Sequence, residues 1–232
     1  ISRVITVSNG LYTAKFSTLG AVAVSWLIPE YKDFRGEPYN LVADSLKGVF
    51  NFNAAGVNYD NVLFESDAPD SLSVSGETIL TFKATGANGV PVEKKFIFTN
   101  GKYDIDISIS TGYSLSEKYQ FGWMGGIRES EKDVDTKLAD AAVAIYYGED
   151  VDRPVDNNDS AKEIEGVIKW VSLRSKYFSG TMMPEKSGDY TVYFKKITKT
   201  ELSNNPHDFS FMMEGRLEEG KASYKSILIP SR

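Results

Sequence analysis

Residues 103–110, YDIDISIS, constrain the fold more than any other part of the chain. Tyr103, Ile105, Ile107 and Ile109 alternate with Asp104, Asp106, Ser108 and Ser110. An extended backbone therefore puts four apolar side chains on one face and four polar ones on the other, whereas a helix would scatter both sets. One dry face and one wet face is the pattern of a strand in an antiparallel sheet packed on one side. Asn100-Gly101 stands just before this run and Asn88-Gly89 separates two earlier ones. Asn-Gly tolerates the positive φ of tight hairpin turns, so hairpins are predicted at both places.

The same rhythm extends along the chain. Tyr12, Ala14 and Phe16 share one face against Thr13, Lys15 and Ser17, and after Gly20 the alternation resumes with Val22, Val24 and Trp26, predicting two strands around a turn. Residues 31–52 are rich in Gly, Asp, Asn and Pro and predict long loops with an edge strand. NVLFES, SLSVSG, TILTFKAT and PVEKKFIFT predict further strands, as do KYQFGWMGGI, AAVAIYY, DYTVYFKKIT, HDFSFMME and SYKSILI. ESEKDVDTKLADAA is the one predicted helix, with Glu129, Glu131, Asp133 and Asp135 offsetting the dipole at its start. GEDVDRPVDNNDSAKEIE reads as a polar acidic loop.

The densest aromatic stretch is residues 166–184, GVIKWVSLRSKYFSGTMMP. It predicts a strand GVIKWVS, a tight connection LRS, and a second strand KYFSGTMM closed by Pro184, which has no N–H for a ladder. A helical reading competes, because Trp170, Leu173 and Tyr177 fall at helix spacing. The β-branched and aromatic residues favour strands, and Gly180 would weaken a helix by about 1 kcal/mol relative to Ala. Trp170 and Phe178 are predicted to be largely buried, with Trp170→Ala costing about 3–5 kcal/mol. So many strands with at most one or two short helices predict an all-β sandwich or supersandwich. No repeat of propeller or solenoid period is visible.

At 232 residues the chain is long enough to bury a sizeable core as one domain, residues 1–232, without disulfides. Cysteine is absent, which removes thiol chemistry. A net charge of −6 and a pI near 5.0 argue against a nucleic-acid partner and an anionic membrane surface. Apolar runs such as residues 20–28 fall well short of the roughly 20 residues of a spanning helix. The chain begins at Ile1 with no signal-like segment and reads as a soluble piece of a longer product.

Catalytic constellations are scarce. His207 is the only histidine, so no His pair for a metal or for acid–base work exists within one chain, and its place at the start of a strand suits a structural role. Asp150, Asp152, Asp156 and Asp159 cluster in the acidic loop, but Pro154 occupies a ligand position of a calcium loop and the turn lacks its Gly, so a solvated loop is the simpler reading. Gly122, Gly125 and Gly126 in FGWMGGI have no Lys-Ser/Thr after them and are not a phosphate loop; they predict positive φ or close backbone approach. Paired carboxylates for glycoside chemistry are not singled out by spacing among 32 acids. No catalytic residue, cofactor site or metal site is assigned.

Four segments in order resemble one family. LYTAKFSTLGAVAVSWLIPEYKD is similar to the first strands of the large periplasmic domain of YidC-type membrane protein insertases, with Tyr12, Phe16 and Gly20 at the pattern positions. VEKKFIFTNGKYDIDISI resembles its K-x-F-x-F hairpin. FGWMGGI resembles its W-x-G-G-I segment through Trp123, Gly125 and Gly126, and residues 166–184 match its W, Y-F and P through Trp170, Tyr177, Phe178 and Pro184. The resemblance implies an antiparallel β-supersandwich of the galactose-mutarotase type on the periplasmic face of the bacterial inner membrane. It also implies that the insertase transmembrane core lies outside this chain, and that SecD/SecF accessory subunits of the Sec translocase and nascent membrane proteins are the partners. The family's Gly-Pro-Lys and following helix are replaced here by SILIPSR, and residues 150–165 match no part of the pattern.

Three functions follow as expectations. The first is a non-catalytic scaffold, interaction surface or chaperone in membrane protein insertion and folding. The second is a carbohydrate-binding or aldose-epimerase-like protein of the same superfold, for which one His makes the acid–base pair hard to assemble. The third is an aromatic cleft for an extended hydrophobic peptide or lipid chain, at a position the sequence does not locate.

Overall fold

The computed structural model describes residues 1–113, 117–128, 130, 142–153, 161–197 and 208–230. In chain order its strands are β1 (Val4–Ser8), β2 (Thr13–Ser17), β3 (Val22–Lys32), β4 (Pro38–Asn40), β5 (Val49–Ala54) and β6 (Val57–Asn58). Then come β7 (Ser71–Ser73), β8 (Glu77–Thr85), β9 (Pro91–Thr99), β10 (Asp104–Thr111), β11 (Lys118–Trp123) and β12 (Ala142–Tyr147). The last are β13 (Asp150–Asp152), β14 (Ala161–Arg174), β15 (Phe178–Pro184), β16 (Gly188–Ile197), β17 (Asp208–Arg216) and β18 (Lys221–Pro230). Among the described residues the helical content is a 3₁₀ turn, Tyr59–Asn61, capped by the Asn58 side chain.

The pairings trace two layers. One runs β7–β1–β2–β3–β5–β11–β17–β16–β14, and the other β8–β9–β10–β18–β15–β14–β12–β13. All these named ladders are antiparallel except β1–β7. β14 belongs to both: residues 161–168 pair with β16, and Val171–Arg174 pair with β15. The layers face each other through aromatic rings. Phe16 on β2 lies 4.7 Å from Phe96 on β9, and Phe121 on β11 lies 4.6 Å from Tyr224 on β18. The chain is thus an all-β supersandwich with an aromatic core.

β10 follows the alternation read from YDIDISIS: Ile105, Ile107 and Ile109 are buried and the residues between them are partly exposed. The predicted glycine turns also form, with φ of 78° at Gly89 and 71° at Gly101. Four expectations need correction. Val24 does not continue the inward row between Val22 and Trp26, because the β2–β3 register slips by one residue there and Ala23 turns inward instead. NVLFES is not a ladder strand; Leu63 and Glu65 make only isolated bridges to Leu19 and Lys83. The acidic stretch is not loop throughout, since β13 covers Asp150–Asp152 and β14 already begins at Ala161. Consequently Leu173 and Arg174 are strand, and the connection is Ser175–Lys176–Tyr177.

Trp170 is partly exposed rather than fully enclosed. Its side chain points to the outer face of β14, opposite the buried Val171, and stacks on Tyr146 across the ladder at 6.1 Å and 24°. Phe178 is buried as expected, stacked on Tyr39 at 3.7 Å and edge-on to Tyr31 at 5.4 Å. The predicted helix with Glu129, Glu131, Asp133 and Asp135, and also His207, Asp156 and Asp159, lie outside the described residues.

Candidate functional site

The residues of the four sequence segments do not gather at one point. Tyr12 and Phe16 are buried on β2, with the Tyr12 ring 4.3 Å from Trp26. Gly20 turns the chain from β2 to β3 with φ 78°, and a Cβ there would sit 2.9 Å from the Asp60 carbonyl oxygen. Trp123 is buried at the end of β11, where its Nε1 donates to the Gly126 carbonyl at 2.9 Å. Gly125 packs on the carbonyls of Gly48 and Asp44, at 2.6 and 2.8 Å from a would-be Cβ, and Gly126 has φ 63°. Tyr177 is exposed in the β14–β15 turn, and Pro184 ends β15. Among the described residues no group of three or more acids or His could hold a metal ion.

Two places do concentrate polar chemistry. The first is inside the core. The alternation of β9 turns Val92, Lys94, Phe96 and Phe98 inward, so a lysine enters the aromatic core in phase with its apolar neighbours. Lys94 Nζ donates to the carbonyls of Gly20 at 3.0 Å, Ala21 at 3.0 Å and Phe50 at 2.7 Å. All three acceptor residues have positive φ, 78°, 48° and 74°. Burial pushes the lysine down to about 7, opposed by the Asp60 carboxylate. Asp60 is itself raised by burial, against Lys94, the Asn51 amide at 3.0 Å and the Phe52 N–H at 3.2 Å. With no exposed surface, Lys94 can reach no substrate; it serves the fold.

The second place is a cleft where the chain crosses between layers, at the β15–β16 and β17–β18 turns. Two hollows of about 480 and 380 Å³ share Lys186, Tyr190, Arg216 and Glu218. Tyr190 lies across β17 because Gly215 has no side chain; a Cβ there would be 2.6 Å from its ring. The hydroxyls of Tyr119 and Tyr224 are hydrogen-bonded 2.7 Å apart inside the core, and the Tyr190 hydroxyl donates to the Lys186 carbonyl at 3.4 Å. Burial raises all three, so they stay neutral hydroxyls. Lys186 pairs with Glu218 across the mouth, and Lys118 donates to Glu214 at 2.7 Å beside the outer hollow. A broader depression of about 660 Å³ lies over Leu63, Ala84, Pro91 and Val92. Sequence reading found neither place, although a Lys in the inward phase of PVEKKFIFT was the signal for the first.

Comparison with known proteins gives the frame. The chain is 30% identical over 200 residues to the membrane protein insertase YidC of Chlorobaculum parvum, covering 79% of this chain and 34% of that protein. With the YidC of Prosthecochloris aestuarii it shares 28% over 243 residues, covering 97% and 41%. The chain thus spans between a third and about two-fifths of these relatives. Among solved structures, an α-N-acetylgalactosaminidase from Bifidobacterium bifidum in complex with GalNAc matches with a TM-score of 0.61 at 10% identity, covering 97% of this chain and 36% of that one. A GalM/aldose epimerase homologue from C. elegans matches with a TM-score of 0.56 at 9% identity, covering 100% and 99%. These likenesses show a galactose-mutarotase-like fold. The YidC periplasmic domain model matches residues 4–221, and the chain belongs to that family.

Proposed function

We propose that this chain is a non-catalytic periplasmic domain of a membrane protein insertase, acting as a scaffold or protein-interaction surface in membrane protein insertion and folding. The observation that carries the reading is the family match along residues 4–221, joined by relatives that bear the insertase name. Among the described residues no helix is long and apolar enough to cross a membrane, so the transmembrane core is assigned to the rest of the longer protein. Residues 1–232 are assigned to one unit, supported by the strand that both layers share and by a continuous core cluster. Tyr12, Phe16, Gly20, Trp123, Gly125, Gly126, Phe178 and Pro184 act as framework residues, Trp170 as a partly buried partner of Tyr146, and Tyr177 as a surface residue. SecD/SecF and nascent membrane proteins are the proposed partners.

Because the chain has no cysteine, Tyr177→Cys places one thiol on an exposed turn. In the full-length, otherwise cysteine-free protein, a membrane-impermeant maleimide labels it in intact spheroplasts if this face is periplasmic. Labelling only after lysis overturns the location. Photo-crosslinkers at Tyr177 and at exposed Val151 report the partners: adducts with SecD/SecF or nascent chains are expected, and their absence from every exposed position overturns the scaffold role. The epimerase reading rests on fold alone, and fold does not fix activity; polarimetry of a free aldose with purified protein tests it, with no acceleration expected.

A further inference from the structure

We infer that Asn100 is a site of spontaneous covalent modification, converted through its neighbour Gly101 to aspartate and isoaspartate ahead of the other Asn-Gly pairs, and that the conversion loosens the joint between the β9–β10 and β1–β2 turns. This goes beyond the scaffold reading and does not depend on it.

The reaction needs only water. The Gly101 main-chain nitrogen attacks Cγ of the Asn100 side chain; a C–N bond forms, the Cγ–Nδ2 bond breaks, and ammonia leaves with the proton of the attacking nitrogen. The product is a five-membered succinimide. Water then opens one of its two carbonyls. Opening on one side gives aspartate and on the other isoaspartate, whose main chain is longer by one methylene, and nothing is oxidised or reduced. Glycine in the second place favours the attack because no Cβ shields its nitrogen.

The chain has three such pairs, Asn9-Gly10, Asn88-Gly89 and Asn100-Gly101, and each glycine holds a positive φ, 90°, 78° and 71°. Local sequence makes them equivalent; their contacts do not. Asn9 is 1% exposed, its Oδ1 accepts from the Leu11 and Tyr12 N–H groups at 3.0 and 3.1 Å, and its Nδ2 donates to the Lys102 carbonyl at 2.7 Å. Asn88 Nδ2 donates to the Tyr113 hydroxyl at 2.8 Å, and its Oδ1 accepts from the Val90 N–H at 3.2 Å. Either amide must leave these bonds before its Cγ can meet the glycine nitrogen. Asn100 is exposed, and among the described residues its amide has no hydrogen-bond partner. Its nucleophile is also held more loosely, because the Gly101 N–H reaches the Asn9 carbonyl only at 3.3 Å, whereas the Gly89 N–H meets the Gly86 carbonyl at 2.9 Å.

The consequence falls on a joint. The Lys102 N–H closes the turn on the Thr99 carbonyl at 3.2 Å, and the Lys102 carbonyl holds the buried Asn9 amide. One more methylene in so short a turn displaces Lys102, and Asn9 loses a partner inside the fold.

The test incubates the purified chain at mildly alkaline pH, folded and in urea, and follows amide-to-acid conversion at each asparagine by tryptic peptide mapping with mass spectrometry. In the folded chain Asn100 should convert about tenfold faster than Asn9 or Asn88, the rate equivalent of the hydrogen bonds those two must break. In urea the three rates should converge. The converted chain should also unfold at lower urea than Asn100→Asp, which carries the new charge without the extra methylene. Equal rates in the folded chain overturn the inference. So does a lead of Asn100 that persists undiminished in urea, or a converted chain as stable as Asn100→Asp.

Discussion

Lys94 Nζ donates to the Phe50 carbonyl oxygen at 2.7 Å, and Phe50 itself holds a left-handed φ of 74°. For a large aromatic residue this backbone region is uncommon and costs about 1–3 kcal/mol. The ammonium gathers carbonyls from the Gly20–Ala21 turn and from the irregularity at Phe50 in β5, and so fixes where β2, β3 and β5 meet. Lys94→Met keeps much of the volume and removes the donors. It should lower unfolding free energy by about 3–5 kcal/mol, measured by urea denaturation; a change under about 1 kcal/mol would show that the carbonyls find other partners.

The same lysine predicts a pH dependence. Its folded value is pushed down to about 7 from an ordinary 10.5. Between those limits the unfolded chain binds more protons than the native one, so stability should rise with pH across that window by up to about 1.4 kcal/mol per unit. Below about 7 both states carry the charge and the contribution is flat. The difference between wild type and Lys94→Met, followed from pH 6 to pH 10, isolates it; a difference that does not vary with pH refutes the assignment.

Phe178→Ala should cost about 3–5 kcal/mol, because a fully enclosed ring stacked on Tyr39 leaves a cavity. Trp170→Ala should cost less, about 1–2 kcal/mol, because its ring is only partly enclosed, on the face of β14 opposite the buried Val171. Paired denaturation midpoints decide the order, and the reverse order would place the centre of the core at Trp170.

Gly180→Ala should be among the most damaging single changes in β15. Its new Cβ would lie 2.0 Å from the Trp123 ring, which is buried and tied to Gly126. Overpacking of this kind costs about 1–3 kcal/mol or more. Trp123→Phe in the same chain should recover part of the loss, and thermal melts of the single and double variants report it.

Much of the architecture was legible because strand alternation is local. β10 and the two Asn-Gly turns follow from residue order alone. What escaped depends on partners far away in sequence. Trp170 looks like a core residue by type, but its face is decided by pairing with β12 and β15, and nothing local fixes that phase. The one-residue slip at Val24 likewise arises from the β2–β3 ladder. The Tyr190 cleft joins residues of β11, β16, β17 and β18, and its decisive element is an absent side chain at Gly215. Lys94 was legible in principle, since its position in the alternation already turned it inward.

The two layers of the sandwich are held by a staple made of their own backbone. Because β14 passes its hydrogen bonds from β16 to β15 within one strand, neither layer can peel away without breaking the other's ladder. Amide protons of Ile164 and Leu173, on its two halves, should therefore exchange with solvent at closely similar opening free energies, as parts of one cooperative unit. Native-state hydrogen exchange would register separate values if the layers melted in turn. A domain tied in this way transmits a tug on either layer to the whole body.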